Sequence, residues 1–192
     1  MSTKKKSEIK PEITIVLIKP DGVKKAIIGD VVHRFERVGL RLKAAKLIWV
    51  DAEHAGKHYR SDKDYCIAVG KGTIKSYETH GMDPGEDLGT KDPLKIGRMI
   101  REWNMDFLSS GPVFAMVWEG YGAIKLVRKM VGSLFPFDSP PGTIRGDYAW
   151  DSFETANLND RAAANIIHAS GDKTEAELEQ KLWFREDEIY NY

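Results

Sequence analysis

An α/β fold built on a four-stranded sheet is predicted by three observations on this sequence. Apolar runs with β-branched residues recur at four places along the chain. Segments with the apolar spacing of amphipathic helices separate them. Clusters of Pro, Gly and Asp mark the points where one kind of segment gives way to the other. The coarse order is β-α-β-α-α-β-α-β-α. It suits an antiparallel four-stranded sheet with helices packed on one face, the ferredoxin-like sandwich.

Glu12 to Ile18 is the first strand, since Ile13-Thr14-Ile15-Val16-Leu17-Ile18 is a continuous β-branched run. It stops at Lys19-Pro20-Asp21-Gly22, a turn by composition, so Lys19 stands at the strand's C-terminal end. Ile28, Val31, Val32, Phe35 and Val38 then follow helical spacing, and Gly39 is placed to end that helix. Leu40 to Val50 is the second strand. Asp51 reads as the N-cap of a helix reaching Arg60, which carries His54, His58 and Tyr59. His54 and His58 are four residues apart, but no third ligand accompanies them at a metal-binding spacing, so they read as surface residues.

Ser61 to His80 is expected to be a helix interrupted at Gly70 and Gly72, and Gly81 to Asp92 a loop. Asp92-Pro93 places an N-cap and a first-turn proline ahead of a further helix. Val113 to Trp118 is the third strand. Gly120 to Val131 is a helix with Arg128 near its end. Ser133 to Tyr148 is a structured loop that holds Arg145, and Trp150 to Asp160 is a polar excursion. Asn165-Ile166-Ile167-His168 is the fourth strand. The last helix runs from Thr174 to Trp183, with a capping-box pattern at Thr174 and with Leu178 and Leu182 facing inward beside Glu179.

Bulk composition narrows the function classes. The chain has 192 residues, the length of one domain with or without insertions. Lys plus Arg and Asp plus Glu are 29 each, which gives no electrostatic case for a nucleic-acid or membrane partner. No stretch of 18 apolar residues exists. The single cysteine, Cys66, excludes an internal disulfide and a cysteine zinc cluster, reads as a small core residue and favours a cytoplasmic location. Residues 1–10 are polar, without an apolar signal core, and are expected to form a disordered tail.

Lys19, Tyr59, Arg128, Arg145, Asn165, His168, Ser170 and Glu179 are polar residues set in apolar or structured surroundings. Three cations converging on one place would bind phosphate, and a histidine among them could attack phosphorus. A carboxylate would orient its ring. From position alone, His168 is either this reactive imidazole or a hydrogen-bonded strand-end residue. Spacing by itself does not make the groups converge.

Five motifs occur in order: Ile18-Lys19-Pro20-Asp21-Gly22, Ser110-Gly111-Pro112-Val113, Met116-Val117-Trp118-Glu119-Gly120, Pro141-Gly142-Thr143-Ile144-Arg145-Gly146-Asp147 and Asn165-Ile166-Ile167-His168. Together they resemble nucleoside diphosphate kinases. The resemblance implies the ferredoxin-like fold over residues 11–192, with insertions at about 61–103 and 150–161. It also implies a ping-pong transfer of the γ-phosphate of a nucleoside triphosphate, typically ATP, to a nucleoside diphosphate through phosphohistidine at His168. On that resemblance Lys19 holds the transferring phosphate, with Tyr59 nearby. Arg128 and Arg145 hold nucleotide phosphates, Asn165 contacts the sugar, and Glu179 with Ser170 orients His168. Mg²⁺ arrives on the nucleotide, without protein ligands. The assembly is expected to be a hexamer or tetramer built from dimers.

Two departures from the family pattern stand out. The family's His-Gly-Ser-Asp is here His168-Ala169-Ser170-Gly171-Asp172, which moves the acid by one residue. The family's phosphate-contacting threonine falls on Leu134, with Ser133 beside it. Trp103, Met105 and Phe107 are the candidates for the side chain that stacks on the base. The rival reading is a nucleotide-binding module that has lost transfer, against which stands the survival of every reactive group named above.

Overall fold

The computed structural model describes residues 10–192; nearly all of the expected tail lies outside them. Strand β1 (Glu12–Ile18) is followed by a one-turn helix α1 (Pro20–Lys24), by α2 (Ile28–Arg37) and by β2 (Arg41–Ile48). Helices α3 (Ala52–His58), α4 (Lys63–Thr79), α5 (Pro84–Asp87) and α6 (Pro93–Ser109) lead to β3 (Val113–Gly120). Then come α7 (Ala123–Val131), a 3₁₀ turn, α8 (Ile144–Tyr148), α9 (Phe153–Asn157), β4 (Ile167–Ala169) and α10 (Lys173–Trp183). The sheet order is β2-β3-β1-β4 and every pairing is antiparallel.

The helices cover both faces of the sheet, where one covered face was expected. Val16 and Ile18 pack with Phe35 of α2 and Val127 of α7. Ile15 and Leu17 pack on the opposite side, with Ala55 of α3, Leu108 of α6 and Trp183 of α10. Successive strand residues point to opposite faces. A central strand buried on both sides must therefore be apolar throughout, which is why β1 shows no alternation. Each fully buried aliphatic side chain contributes about 1.5–3 kcal/mol.

Three local expectations change. Helix α4 runs unbroken through Gly70 and Gly72. A Cβ on Gly70 would lie 1.8 Å from the Pro93 carbonyl oxygen, and one on Gly97 would lie 1.8 Å from that of Cys66. These glycines let α4 and α6 touch through their backbones, and the contact outweighs the ~1 kcal/mol propensity cost of each. Residues expected in loop or polar excursion form α5, α8 and α9. In α10 the cap is Asp172, whose carboxylate accepts from Glu175 N at 2.9 Å, so Thr174 is not the cap. The displaced acid of the histidine motif thus has a structural job. The inward stripe of α10 is Ala176, Glu179 and Trp183, while Leu178 is 58% exposed.

Candidate active site

The register of the sheet decides where His168 points. It stands opposite Leu17 in the β1–β4 ladder, and directly paired residues share a face. His168 therefore emerges on the side covered by α3 and α10. Ile167 and Ala169 go to the other side, where they join Val16 and Ile18.

Glu179 of α10 meets it there: His168 Nε2 lies 2.6 Å from Oε1. The other carboxylate oxygen accepts from Ser170 Oγ at 2.6 Å, and Ser170 Oγ accepts from Ile15 N at 3.0 Å. Ser170 N also donates to Ile15 O, which extends the ladder past the end of β4. The chain from sheet backbone through Ser170 and Glu179 to the imidazole is thus continuous. It assigns the ring proton to Nε2 and leaves Nδ1 with its lone pair. Burial, with Lys19, Arg145 and Arg128 nearby, pushes His168 down to about 3 despite the opposing Glu175, so the ring is neutral at neutral pH. Burial raises Glu179 above the usual carboxylate range, against the pull of His58 and the Ser170 hydrogen bond.

Lys19 reaches the same place from the C-terminal end of β1. Its Nζ donates to Asn165 Oδ1 at 2.8 Å, and Asn165 Nδ2 donates to Leu134 O at 3.1 Å. Burial and then Arg145 lower Lys19 to about 8, with Asp21 opposing. The turn after β1 also shapes the approach to β4. Asp21 accepts from Ile166 N at 3.0 Å, and Lys19 N donates to Ile166 O at 2.8 Å. These bonds hold Ile166 at φ +57, an uncommon conformation for a β-branched residue. Gly22 is needed beside it, because a Cβ there would sit 2.7 Å from Ile166 O. The Pro-Asp-Gly sequence thus ends β1 and also locks the segment that presents His168.

The two arginines differ. Arg145 is buried and donates to Asn165 O, Ile167 O and Ser133 O at 3.1, 2.7 and 2.6 Å, so it clamps the loops around the site. Burial and Arg128 lower it to about 10, so it remains a cation. Arg128 makes one long contact, to Ala169 O at 3.3 Å. A cavity of about 330 Å³ is lined by His168, Tyr59, Arg128, Arg145 and Ser133. A second, of about 570 Å³, shares His168, Tyr59 and Arg145 and runs on past Lys19 and Asn165. The Tyr59 hydroxyl is buried without a protein partner, and burial raises its pKa.

Eight of the nine predicted site positions bring a polar side chain to this centre. The exception is Leu134, 63% exposed, whose apolar side chain offers no donor and whose carbonyl holds Asn165. Of the candidates for base stacking, Trp103 lines the larger cavity, Met105 packs in the core, and Phe107 lies 5.7 Å from Lys19 Nζ. The structure corrects the expectation of a surface position for His58. Its side chain is 2% exposed and its ring stands edge-on to His168, with centroids 4.7 Å apart. Nδ1 accepts from Trp183 Nε1 at 3.3 Å and lies 3.6 Å from Glu179. The available signal was the adjacency of His58 to Tyr59 at the end of a helix that follows a strand.

A neutral imidazole with a free lone pair, set among cations at the end of an antiparallel sheet, is the equipment of a phosphoryl-transfer enzyme. The chain belongs to the nucleoside diphosphate kinase family, whose model matches residues 12–67 and 97–189. It is 39% identical over 178 residues to the nucleoside diphosphate kinase of Pyrobaculum aerophilum, covering 93% of this chain and 97% of that one. The crystal structure of an NDP kinase from the same organism superposes with a TM-score of 0.90 at 37% identity, covering 94% of this chain and all of the other. A nucleoside-diphosphate kinase from Borrelia burgdorferi, described as a transition-state mimic with bound vanadate and ADP, superposes with a TM-score of 0.76 at 34% identity, covering 96% and 94%. The chain is a phosphotransferase of that family.

Proposed function

We propose that the enzyme moves the γ-phosphoryl group of a nucleoside triphosphate to a nucleoside diphosphate by way of His168 Nδ1. The observation that carries this is the 2.6 Å contact of Nε2 with Glu179, which leaves Nδ1 as the nucleophilic nitrogen. In the first half-reaction the Nδ1 lone pair forms a bond to the γ-phosphorus. The bond from that phosphorus to the β,γ-bridging oxygen breaks, and its electrons leave with the nucleoside diphosphate. The ring gains positive charge, which Glu179 stabilises through Nε2–H. In the second half-reaction a terminal phosphate oxygen of another nucleoside diphosphate attacks the phosphorus, the P–Nδ1 bond breaks, and its electron pair returns to the ring and restores neutral His168.

Lys19 and Arg128 neutralise charge on the transferring and flanking phosphates, and Tyr59 donates its unpartnered hydroxyl to them. Asn165 meets the sugar. Arg145 holds the phosphate-side loops and adds its charge. Ser170 fixes Glu179. Leu134 shapes the mouth through its backbone, with Ser133 as the neighbouring hydroxyl. Residues 11–192 form one kinase domain, with insertions about 61–103 and 150–161.

Mg²⁺ fits as a passenger of the nucleotide. The carboxylates near the phosphate side are engaged: Glu179 by His168 and Ser170, Asp21 by backbone N–H groups, and Glu175 by Gly171 N. Bound to the phosphates, the ion supplies charge neutralisation. Assembly as a hexamer or tetramer of dimers is supported by Leu47 and Trp49, 60% and 67% exposed beside the edge strand β2. The single buried thiol supports a cytoplasmic setting; among the described residues no helix is long and apolar enough to cross a membrane.

Incubation with γ-labelled ATP should give an acid-labile label on the wild-type protein and none on His168→Ala. Wild-type labelling of His168→Ala would sink the assignment.

A further inference from the structure

The 330 Å³ cavity at His168 carries the cations Arg128 and Arg145, yet an acid stands on the same wall. Among the described residues Glu175 of α10 is the only carboxylate that lines it. We propose that Glu175 sets the cleft's affinity for nucleoside diphosphates, its negative charge opposing Arg128 so that the bound diphosphate is held weakly enough to be exchanged. This rests on the kinase reading above.

Glu175 is partly buried in the first turn of α10. It reaches back over the turn that follows His168, where its Oε2 accepts from Gly171 N. A Cβ on Gly171 would lie 2.6 Å from Glu175 Oε2 and 3.8 Å from Arg128 Nη1. The carboxylate and the guanidinium thus flank one point of the turn, and a glycine there leaves both their room. Arg128 keeps its long contact to Ala169 O, so its guanidinium stays available to phosphate.

The charge of Glu175 reaches the reacting groups. Burial holds the His168 ring down; Glu175 pulls against it, and Lys19, Arg145 and Arg128 act with burial. After burial, Glu175 is also what raises the Tyr65 hydroxyl, on the same cavity wall. An anion placed here repels a polyphosphate that Arg128 attracts.

Capping α10 does not require this acid, because the Asp172 carboxylate does it. The longer His168-Ala169-Ser170-Gly171-Asp172 turn moves Asp172 to the cap and leaves Gly171 N to Glu175. Ping-pong exchange gives the carboxylate a use. The diphosphate left by the donor must leave before an acceptor enters, and a site of cations alone would retain it.

The test is the dissociation constant of ADP, measured by calorimetry at low ionic strength without a divalent cation, for wild type, Glu175→Gln and Glu175→Asp. Gln loses the charge but its carbonyl still accepts from Gly171 N. Asp keeps the charge and, one methylene shorter, gives up that bond. Glu175→Gln should bind ADP about tenfold more tightly than wild type, a gap that closes as salt is raised, and Glu175→Asp should stay within about twofold of wild type. Binding by Glu175→Gln equal to or weaker than wild type overturns the proposal. So does equal tightening by both variants, which would assign the effect to the Gly171 bond. Either result leaves the kinase reading standing where wild type binds ADP and takes label from γ-labelled ATP; a wild type that does neither overturns both.

Discussion

His168 and Phe153 stand on opposite sides of one cleft, and the chain holds them by different means. His168 is set by polar bonds rooted in sheet backbone: Ile15 to Ser170, Ser170 to Glu179, Glu179 to the ring. Phe153 is set by apolar packing in a small separate core with Tyr77, Leu88 and Ile96. The first arrangement is directional and fixes a nitrogen to within a bond's tolerance. The second is closely packed but non-directional, and it shapes a wall. Changes on the His168 side should therefore act on rate, and changes on the Phe153 side on stability and binding.

The largest contrast is expected from Glu179→Ala. Loss of the carboxylate frees the imidazole tautomer and leaves Ser170 without its acceptor. Single-turnover phosphorylation should slow about a thousandfold, in the middle of the usual range for removing a proton-handling partner. A slowing below tenfold would mean that the histidine is oriented by something else. On the opposite wall, Phe153→Ala should cost about 3 kcal/mol in urea unfolding, because it empties the centre of the separate core. A cost under 1 kcal/mol would show that this core is dispensable.

Gly70→Ala should destabilise by about 2 kcal/mol. The added methyl would meet the Pro93 carbonyl and pry α4 from α6. His168 should still label fully at saturating ATP, since Gly70 lies outside the site. Full stability in Gly70→Ala would show that the two backbones do not touch.

The pH dependence comes from groups on the His168 side. Lys19 is lowered to about 8, so it is a cation below that pH and loses its charge as pH rises through it. kcat/KM should fall above pH 8, at most tenfold per unit. Lys19→Arg keeps its charge and should lack this limb. Stability responds at the acid end. Burial holds His58 and His168 near 3, against an ordinary value of 6.5. Between those values the unfolded chain binds protons that the native state does not. The stability these groups contribute is complete above about 6.5 and is lost as pH falls toward 3, at up to about 1.4 kcal/mol per unit each. Melting curves from pH 7 to 4 should show a shallower decline for His58→Gln; an unchanged slope would remove His58 from the account.

Much of the His168 side was legible in the sequence, because its groups are tied to strand ends and to named turns. The β-branched run of β1 located Lys19, and the fourth apolar run located His168. Asp51 and Asp92 cap the helices they were expected to cap, with acceptor distances of 2.8 and 2.9 Å. The rest was less legible because its determinants are long-range. Gly70 looked like a helix breaker by propensity, and its reason is a carbonyl more than twenty residues away. His58 looked exposed by composition, and its surroundings come from Trp183 and β4. Leu178 looked buried by type, yet the stripe it would join is occupied by Glu179, the carboxylate that meets His168.

The central claim is that Glu179 holds Nε2 and so makes Nδ1 the nucleophile. The most direct measurement is the position of the phosphoryl group on His168, read by NMR of the phosphorylated enzyme kept at alkaline pH. The account predicts phosphorus bonded to Nδ1 with Nε2 still protonated. Phosphorus on Nε2, or on any residue other than His168, would contradict it.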